Sequence, residues 1–445
     1  MTPRALAALA LAALAGCAAP MAREVSSVRF APVIAPVGVA RSNADLAADF
    51  LDLTFGLESG ETFDHLLRYE GPVRIYLASP SLAPYRDDLA ALVARLRAEA
   101  RLDVAVTDDP EAAQIRIEAV PAAQLSRVFP SAACFIVPGA SGWRSFLRSR
   151  SDEGRRWSAQ KMLTGAAIFL PEGSSPQDVR DCLHEEITQA LGPANDLYRL
   201  PDSIWNDDNL HGIATPFDML ILRVLYQPEL RSGMTRDEVA AALPALFRRE
   251  NPKGRGIPRA PRYPESRAWG SAIEVALSQR ADRDDRIAAA RLATQIAAEM
   301  RPVDHRLAVS LLTLGRLTLR EDKVVAARQF SEAYGASLRR FGPGDLRSAQ
   351  SGIHVAAIAL AAGQYDAVIA LADLHAPAAR SGQNAILLAG LLSLKAEALL
   401  GQGDAAAARA ARVDSLRWAR YGFGDAGGAF AREQAALTGA PEAEG

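Results

Sequence analysis

The sequence predicts an α+β domain, a mixed sheet plus one central helix, followed by an all-α domain of helical repeats. Between Val73 and Pro171, short segments with strand alternation lead into a helical pattern over Asp178–Leu191. The segment NPKGRGIPRAPRYPESR, residues 251–267, carries four prolines and two glycines and reads as a linker. Beyond it, alanine and leucine recur at helical spacing, with an internal period of 40 residues. A chain of 445 residues is long enough for two such domains.

Residues 1–16 hold Arg4, the apolar run ALAALALAALA and then Leu14-Ala15-Gly16 before Cys17. A basic start, an apolar stretch too short to span a bilayer as a mature helix and small residues before a cysteine predict a secretory signal peptide. The L-A-G-C ending resembles the bacterial lipobox, which implies that Cys17 is lipidated and anchors the chain to a membrane. Ala18 stands where an aspartate would favour the inner membrane, so the resemblance implies the outer membrane, with the chain facing the periplasm. With Cys17 assigned to lipid, Cys134 and Cys182 remain, and in an oxidising compartment they are expected to be bridged. The closed loop is worth about 4 kcal/mol in the chain-entropy model. A net charge of -2 with both signs mixed gives no case for nucleic acid.

Residues 17–42 are small and aperiodic and read as a lipidated tether. The first domain, 43–250, starts with a predicted helix over Ala44–Leu67. VRIYLAS (73–79), LDVAVT (102–107), QIRIEAV (114–120) and GAAIFLP (165–171) follow as strands, with a helix over Asp87–Arg101. The helix at Asp178–Leu191 has Ser174 or Ser175 as its N-cap ahead of Pro176. Trp143, Trp157 and Tyr198 either shape a peptide groove or belong to the core.

In the second domain, 268–424, three stretches superpose so that Ala327, Ala367 and Ala407 coincide: GRLTLREDKVVAARQFSEAYG, AIALAAGQYDAVIALADL and AEALLGQGDAAAARAARVDSL. Each is a helix, a short turn and a second helix. They resemble tetratricopeptide repeats, slightly longer than the usual unit and lacking several of its aromatics. Repeats stack because no single helix pair can bury its apolar face alone. His305, His354 and His375 show no ligand spacing, so this domain presents surface, and an envelope protein or peptide is the expected partner. Residues 425–445 read as a flexible tail.

The stretch DCLHEEITQALGPAND, 181–196, resembles the zinc helix of the metzincin proteases, H-E-x-x-H-x-x-G-x-x-H. With Glu186 in the base position, the three ligand positions fall on Glu185, Gln189 and Asn195, and Gly192 falls where that family needs its glycine. Every histidine has become an oxygen donor. Downstream, Ser203-Ile204-Trp205 takes the place of the turn that holds a methionine beneath the metal, and TPFDMLILRVLY, 215–226, resembles the closing helix. Trp205 in place of methionine suggests that a ring fills the space under the metal. A second register, with His184-Glu185 as the H-E pair, needs a ligand at Thr188 and puts the glycine out of step, leaving His184 as a lone exposed histidine.

The chain is also similar to a bacterial family of lipoproteins called domain of unknown function 2927. The likeness is carried by FLDLTFGLESG (50–60), Cys134 with Cys182, EEITQALGPAND, DSIWNDD (202–208) and RWARYGFG (417–424). The family name implies no activity.

Amide carbonyls are weak neutral donors, and Glu185, Gln189 and Asn195 supply one charge between them, too little for tight zinc. At most such a set holds a weak divalent cation, with Asp196 nearby, and no cofactor is expected. The structural alternative is a polar clip in which Glu185 and Gln189 hydrogen-bond each other and the loops carrying Asn195, Asp196, Asn206 and Asp207. The expected function is therefore that of a non-catalytic pseudo-metalloprotease with helical repeats, a periplasmic binding or assembly factor. Its rival is an envelope hydrolase of peptidase type in which Glu186 activates water on an atypical metal.

Overall fold

The computed structural model describes residues 28–31, 39–129, 133–149, 156–206, 210–260, 266–278, 280–424 and 427–439. The predicted signal peptide and Cys17 lie outside them. Five strands form one sheet in the order β2-β1-β3-β5-β4. Strands β1 (Val73–Leu77), β2 (Val104–Val106), β3 (Ile115–Val120) and β5 (Ala166–Pro171) run parallel, and β4 (Phe135–Pro138) is an antiparallel edge. Strand β5 is apolar on both faces because both are covered. Ile168 and Leu170 enter the main core, whereas Ala167 and Phe169 meet a second cluster with Trp143 and Phe146. The sheet is the mixed one expected, although β4 and the short helices α3 (Ala122–Val128) and α4 (Trp143–Arg148) had no clear signal in the sequence.

The first helix, α1, covers only Asn43–Thr54. Residues 55–67 were expected to continue it, and Phe55, Phe63, Leu66 and Leu67 are buried. They reach the core from irregular backbone instead, pinned by the bridges Gly56–Thr62 and His65–Thr235. Helices α2 (Arg86–Glu99) and α5 (Pro176–Ala190) pack together, and α6 (Pro216–Leu225) and α7 (Arg236–Glu250) complete the domain. The Cys134–Cys182 bridge ties the start of β4 to α5. Replacing both cysteines with alanine should cost about 2–4 kcal/mol. Denaturant titration under oxidising conditions checks it, and a midpoint unchanged from the parent would contradict it.

The described part of the linker lies on the first domain. Asn251 is buried and its Nδ2 donates to Asn43 Oδ1 at 3.0 Å, while the Ala260 amide donates to Asp45 at 2.8 Å. Helices α8 (Arg267–Leu277), α9 (Arg283–Glu299), α10 (His305–Thr318), α11 (Lys323–Phe341), α12 (Leu346–Ala361), α13 (Tyr365–Ser381), α14 (Ala385–Gly401) and α15 (Ala405–Phe423) pack each against the next. The repeat is visible in the pairs α10/α11, α12/α13 and α14/α15. Ala327, Ala367 and Ala407 all fall near the start of the second helix of a pair. Gly363 and Gly403 take positive φ in the intervening turns, 69° and 86°, a conformation that favours glycine.

Two expectations about flanking segments are corrected. Residues 427–438 of the expected tail form a helix, α16, because Leu437 finds a buried place against the repeats. Phe30 of the expected tether packs against Trp418 and Tyr421, with ring centroids 4.4 and 5.7 Å away. Among the described residues no helix is long and apolar enough to cross a membrane.

Candidate functional site

Helix α5 begins where its sequence says it should. The Ser175 hydroxyl accepts from the Asp178 amide at 3.1 Å, and the Asp178 carboxylate accepts from the Ser175 amide at 3.2 Å, with Pro176 at the first helical position. The helix ends at Ala190, and Gly192 turns the chain back with φ of +138°. A Cβ there would lie 2.7 Å from Leu225 Cδ2 and 2.8 Å from the Leu67 carbonyl, so both conformation and space demand glycine.

This turn brings the loop that carries Asn195 and Asp196 back to Gln189. Gln189 Nε2 donates to Asp196 at 2.7 Å, and Asn195 Nδ2 donates to the Asp52 carbonyl on α1 at 2.8 Å. Glu186 is only 5% exposed, and burial, aided by the nearby charges of Asp196 and Glu58, pushes its carboxyl up to about 8. Glu186 Oε2 and Asn195 Oδ1 have no hydrogen-bond partner among the described residues. Glu185, its neighbour in sequence, is only partly buried, so the two carboxylates point in different directions. Two links of the expected polar clip are present, Gln189 to Asp196 and Asn195 to α1, whereas Asn206 Nδ2 donates to Leu200 within its own loop at 3.0 Å. Asp207 lies outside the described residues.

Trp205 is fully buried beneath α5, and its indole N–H donates to Thr188 Oγ1 at 2.9 Å. The turn that carries it is held by Asp218, which accepts from Ser203 Oγ at 2.6 Å and from the amides of Ile204 and Thr215 at 3.1 and 2.6 Å. Burial raises the Asp218 carboxyl to about 6. Asp218 also closes the capping box of α6 with Thr215. One carboxylate therefore fixes both the turn and the closing helix.

His184 is buried, not exposed as its isolation in the sequence suggested. Its Nδ1 accepts from the Ala214 amide at 3.2 Å, and burial with Arg180 and Arg95 nearby holds it well below the usual histidine range, hence neutral. His211 Nε2 lies 3.0 Å from an Arg347 guanidinium nitrogen and 3.1 Å from the Pro201 carbonyl. Trp143 and Trp157 are core residues, and Tyr198 stacks edge-on against Trp269 of the second domain at 5.0 Å.

Several residues that build the site were missed. Asp49 and Asp52, one turn apart on α1, both bind Arg199 in the loop below α5, and Arg41 bonds Asp49 and Asp202. Nothing in one sequence pairs Asp49 with a residue 150 positions away. Likewise Arg180, 3% exposed near the start of α5, crosses to the second domain. It donates to Gln383 Oε1 at 3.1 Å and to the Gln383 carbonyl, and lies over the rings of Phe30 and Tyr421. Gln177 Oε1 accepts from the Ala385 amide at 3.0 Å. A single helix thus carries the domain contact at one end and the clip at the other.

The donor set does not fit zinc: neutral histidine, the ligand zinc favours, is absent from the three positions, and the Gln189 and Asn195 amides are engaged in holding loops. Among the described residues no three His, Cys, Asp or Glu side chains gather as a metal-holding group. Compared with known proteins, the chain matches no curated protein and no solved structure. A family model does match it, over residues 43–245, a span that starts with α1 and takes in the clip from Asp49 to Asp218. The family that residues 43–245 match is the one described as Protein of unknown function (DUF2927).

Proposed function

We propose that the chain is a non-catalytic envelope lipoprotein, anchored to the outer membrane through Cys17 and facing the periplasm. In this reading a zincin-like frame has exchanged its metal for a polar clip and is joined to tetratricopeptide-like repeats. The protein works as a binding or assembly factor, and the repeats recruit an envelope protein or peptide. The mixed sheet, the glycine turn after α5, the buried turn at 203–205 and the closing helix α6 support the zincin likeness. The three helix pairs support the repeat likeness.

The observation that carries the reading is the engagement of two of the compared ligand positions, Gln189 on Asp196 at 2.7 Å and Asn195 on the Asp52 carbonyl at 2.8 Å. Burial and the nearby Asp196 and Glu58 push the Glu186 carboxyl up to about 8, so it is mostly protonated at neutral pH. As an acid it would have to touch a substrate, yet it is 5% exposed beneath its own loops.

Two assays test this. Wild type and Glu186→Ala should give the same background turnover of fluorogenic peptides and of peptidoglycan. Protein purified without chelators should hold no stoichiometric metal, whether wild type or Glu185→Ala. Glu186-dependent turnover, or a metal equivalent lost in Glu185→Ala, would replace this reading with that of a hydrolase. Capture of one envelope protein that is lost with substitutions within 280–424 is the expected partner result.

A further inference from the structure

Helix α15 has an outward face that packs on nothing among the described residues. Ala408, Ser415, Trp418 and Ala419 are buried against the neighbouring helices. At about 3.6 residues per turn, the opposite side gathers Arg409, Arg412, Val413, Leu416, Arg417 and Arg420. All six are exposed, Val413 and Leu416 at 54% and 45%. Arg412 forms an exposed pair with Glu397 at 2.9 Å, and Asp414 on the flank of the helix is taken by Arg380 at 2.9 Å. Arg409, Arg417 and Arg420 have no ion-pair partner among the described residues. A cluster of uncompensated positive charge around two apolar side chains therefore stands on a chain whose net charge is -2.

The N-terminal segment docks on the same helix. Phe30 lies against Trp418 and Tyr421, and the Ala31 carbonyl accepts from Gln383 Nε2 at 3.0 Å. Eleven residues lead from Cys17 to Val28, and a chain spans at most about 3.6 Å per residue, so a lipid on Cys17 would hold the last turns of α15 within about 40 Å of the bilayer. We infer that the outward face of α15 is a membrane-contact surface for anionic phospholipid headgroups, with Val413 and Leu416 entering between them. The setting rests on the reading of Cys17 as the anchor. Guanidinium groups pair with headgroup phosphate, and the apolar pair supplies the shallow burial that holds a helix in the interface plane. The anchor and this face act together, one as a lipid and the other as a charged surface, so that the body lies on the membrane on its α15 side.

The test is flotation of the full chain carrying Cys17→Ser, which cannot be lipidated, with vesicles of phosphatidylcholine alone or of equal parts phosphatidylcholine and phosphatidylglycerol. Residues 1–16 are the same in every chain compared. The mixed vesicles should bind the chain at least roughly tenfold tighter than phosphatidylcholine alone, and Arg417→Glu with Arg420→Glu should remove that difference. Leu416→Ser should weaken binding to the mixed vesicles several-fold. Arg144→Glu with Arg148→Glu, the same change of charge on exposed residues of α4, should bind as the parent does. Arg417→Gln with Arg420→Gln, which adds no negative charge, should give a smaller loss in the same direction with an unchanged urea midpoint. Equal binding to the two kinds of vesicle, or no loss in the Arg417 and Arg420 variants, would overturn the membrane face. An equal loss in the α4 variant would overturn it too, since net charge alone would then explain the binding. Incorporation of labelled palmitate by wild type and not by Cys17→Ser tests the anchor separately; its absence would count against the anchor and not against these vesicle results.

Discussion

Glu186→Gln is expected to stabilise the protein progressively as pH rises from about 5 to 9, and to leave its stability near pH 4.5 almost unchanged. The folded chain holds the Glu186 proton up to about pH 8, whereas an unfolded glutamate releases it near the ordinary value of 4.5. Between those values unfolding releases a proton, so rising pH favours the unfolded chain. The stability that the protonated group contributes is complete below 4.5 and is lost as pH rises through 8. Each unit of pH in that window is worth up to about 1.4 kcal/mol, giving a loss on the order of several kcal/mol across it. Glutamine keeps the shape of the neutral acid and has no proton to lose. The Asp181 and Asp218 carboxyls, raised by burial to about 7 and about 6, titrate in the same range, but they are present in both proteins and cancel in the difference. Urea titrations at pH 5, 7 and 9 measure that difference. A catalytic glutamate held ionised beside a bound cation would give the opposite slope, with glutamine destabilising at high pH. A flat difference would mean that Glu186 is hydrated in solution.

The parts of the site that were legible in the sequence are those fixed by local rules. Ser175, Pro176 and Asp178 announce the start of α5 because a capping box needs only residues three apart. Gly192 marks the return of the chain because its position one step past a helical run demands positive φ. The repeat was legible because a period of 40 residues can be found by comparing the chain with itself. What was not legible depends on partners distant in sequence. Arg180 reads as an ordinary charged helix residue until Gln383, 203 positions later, accepts its hydrogen bonds. His184 reads as exposed because nothing local shows that the Ala214 amide covers it. The overlong first helix has a different cause: residues 55–67 carry helical apolar spacing, but bridges from Gly56 and His65 bind their backbone elsewhere.

Trp205→Ala should cost about 3–5 kcal/mol, whereas Trp205→Phe should cost about 1–2 kcal/mol. In a metal site, coordination bonds would tie α5 to the loop that returns beneath it; here the same elements meet through a fully buried indole and its 2.9 Å bond to Thr188. Alanine removes both the packing and the bond and leaves a cavity under the helix. Phenylalanine keeps most of the ring volume and loses the indole donor. Thr188 Oγ1 already donates to the His184 carbonyl at 2.8 Å, so that hydroxyl keeps a partner in either variant. If the ring is the structural substitute for a metal, Trp205→Ala should also loosen the clip. Amide exchange of residues 195–206 should then rise with the loss of global stability, and the Glu186→Gln advantage at high pH should shrink as water reaches the carboxyl. An alanine variant within about 1 kcal/mol of wild type would place the support of the loop in Asp49, Asp52 and Arg199 instead, and would make the buried ring filling and not a strut.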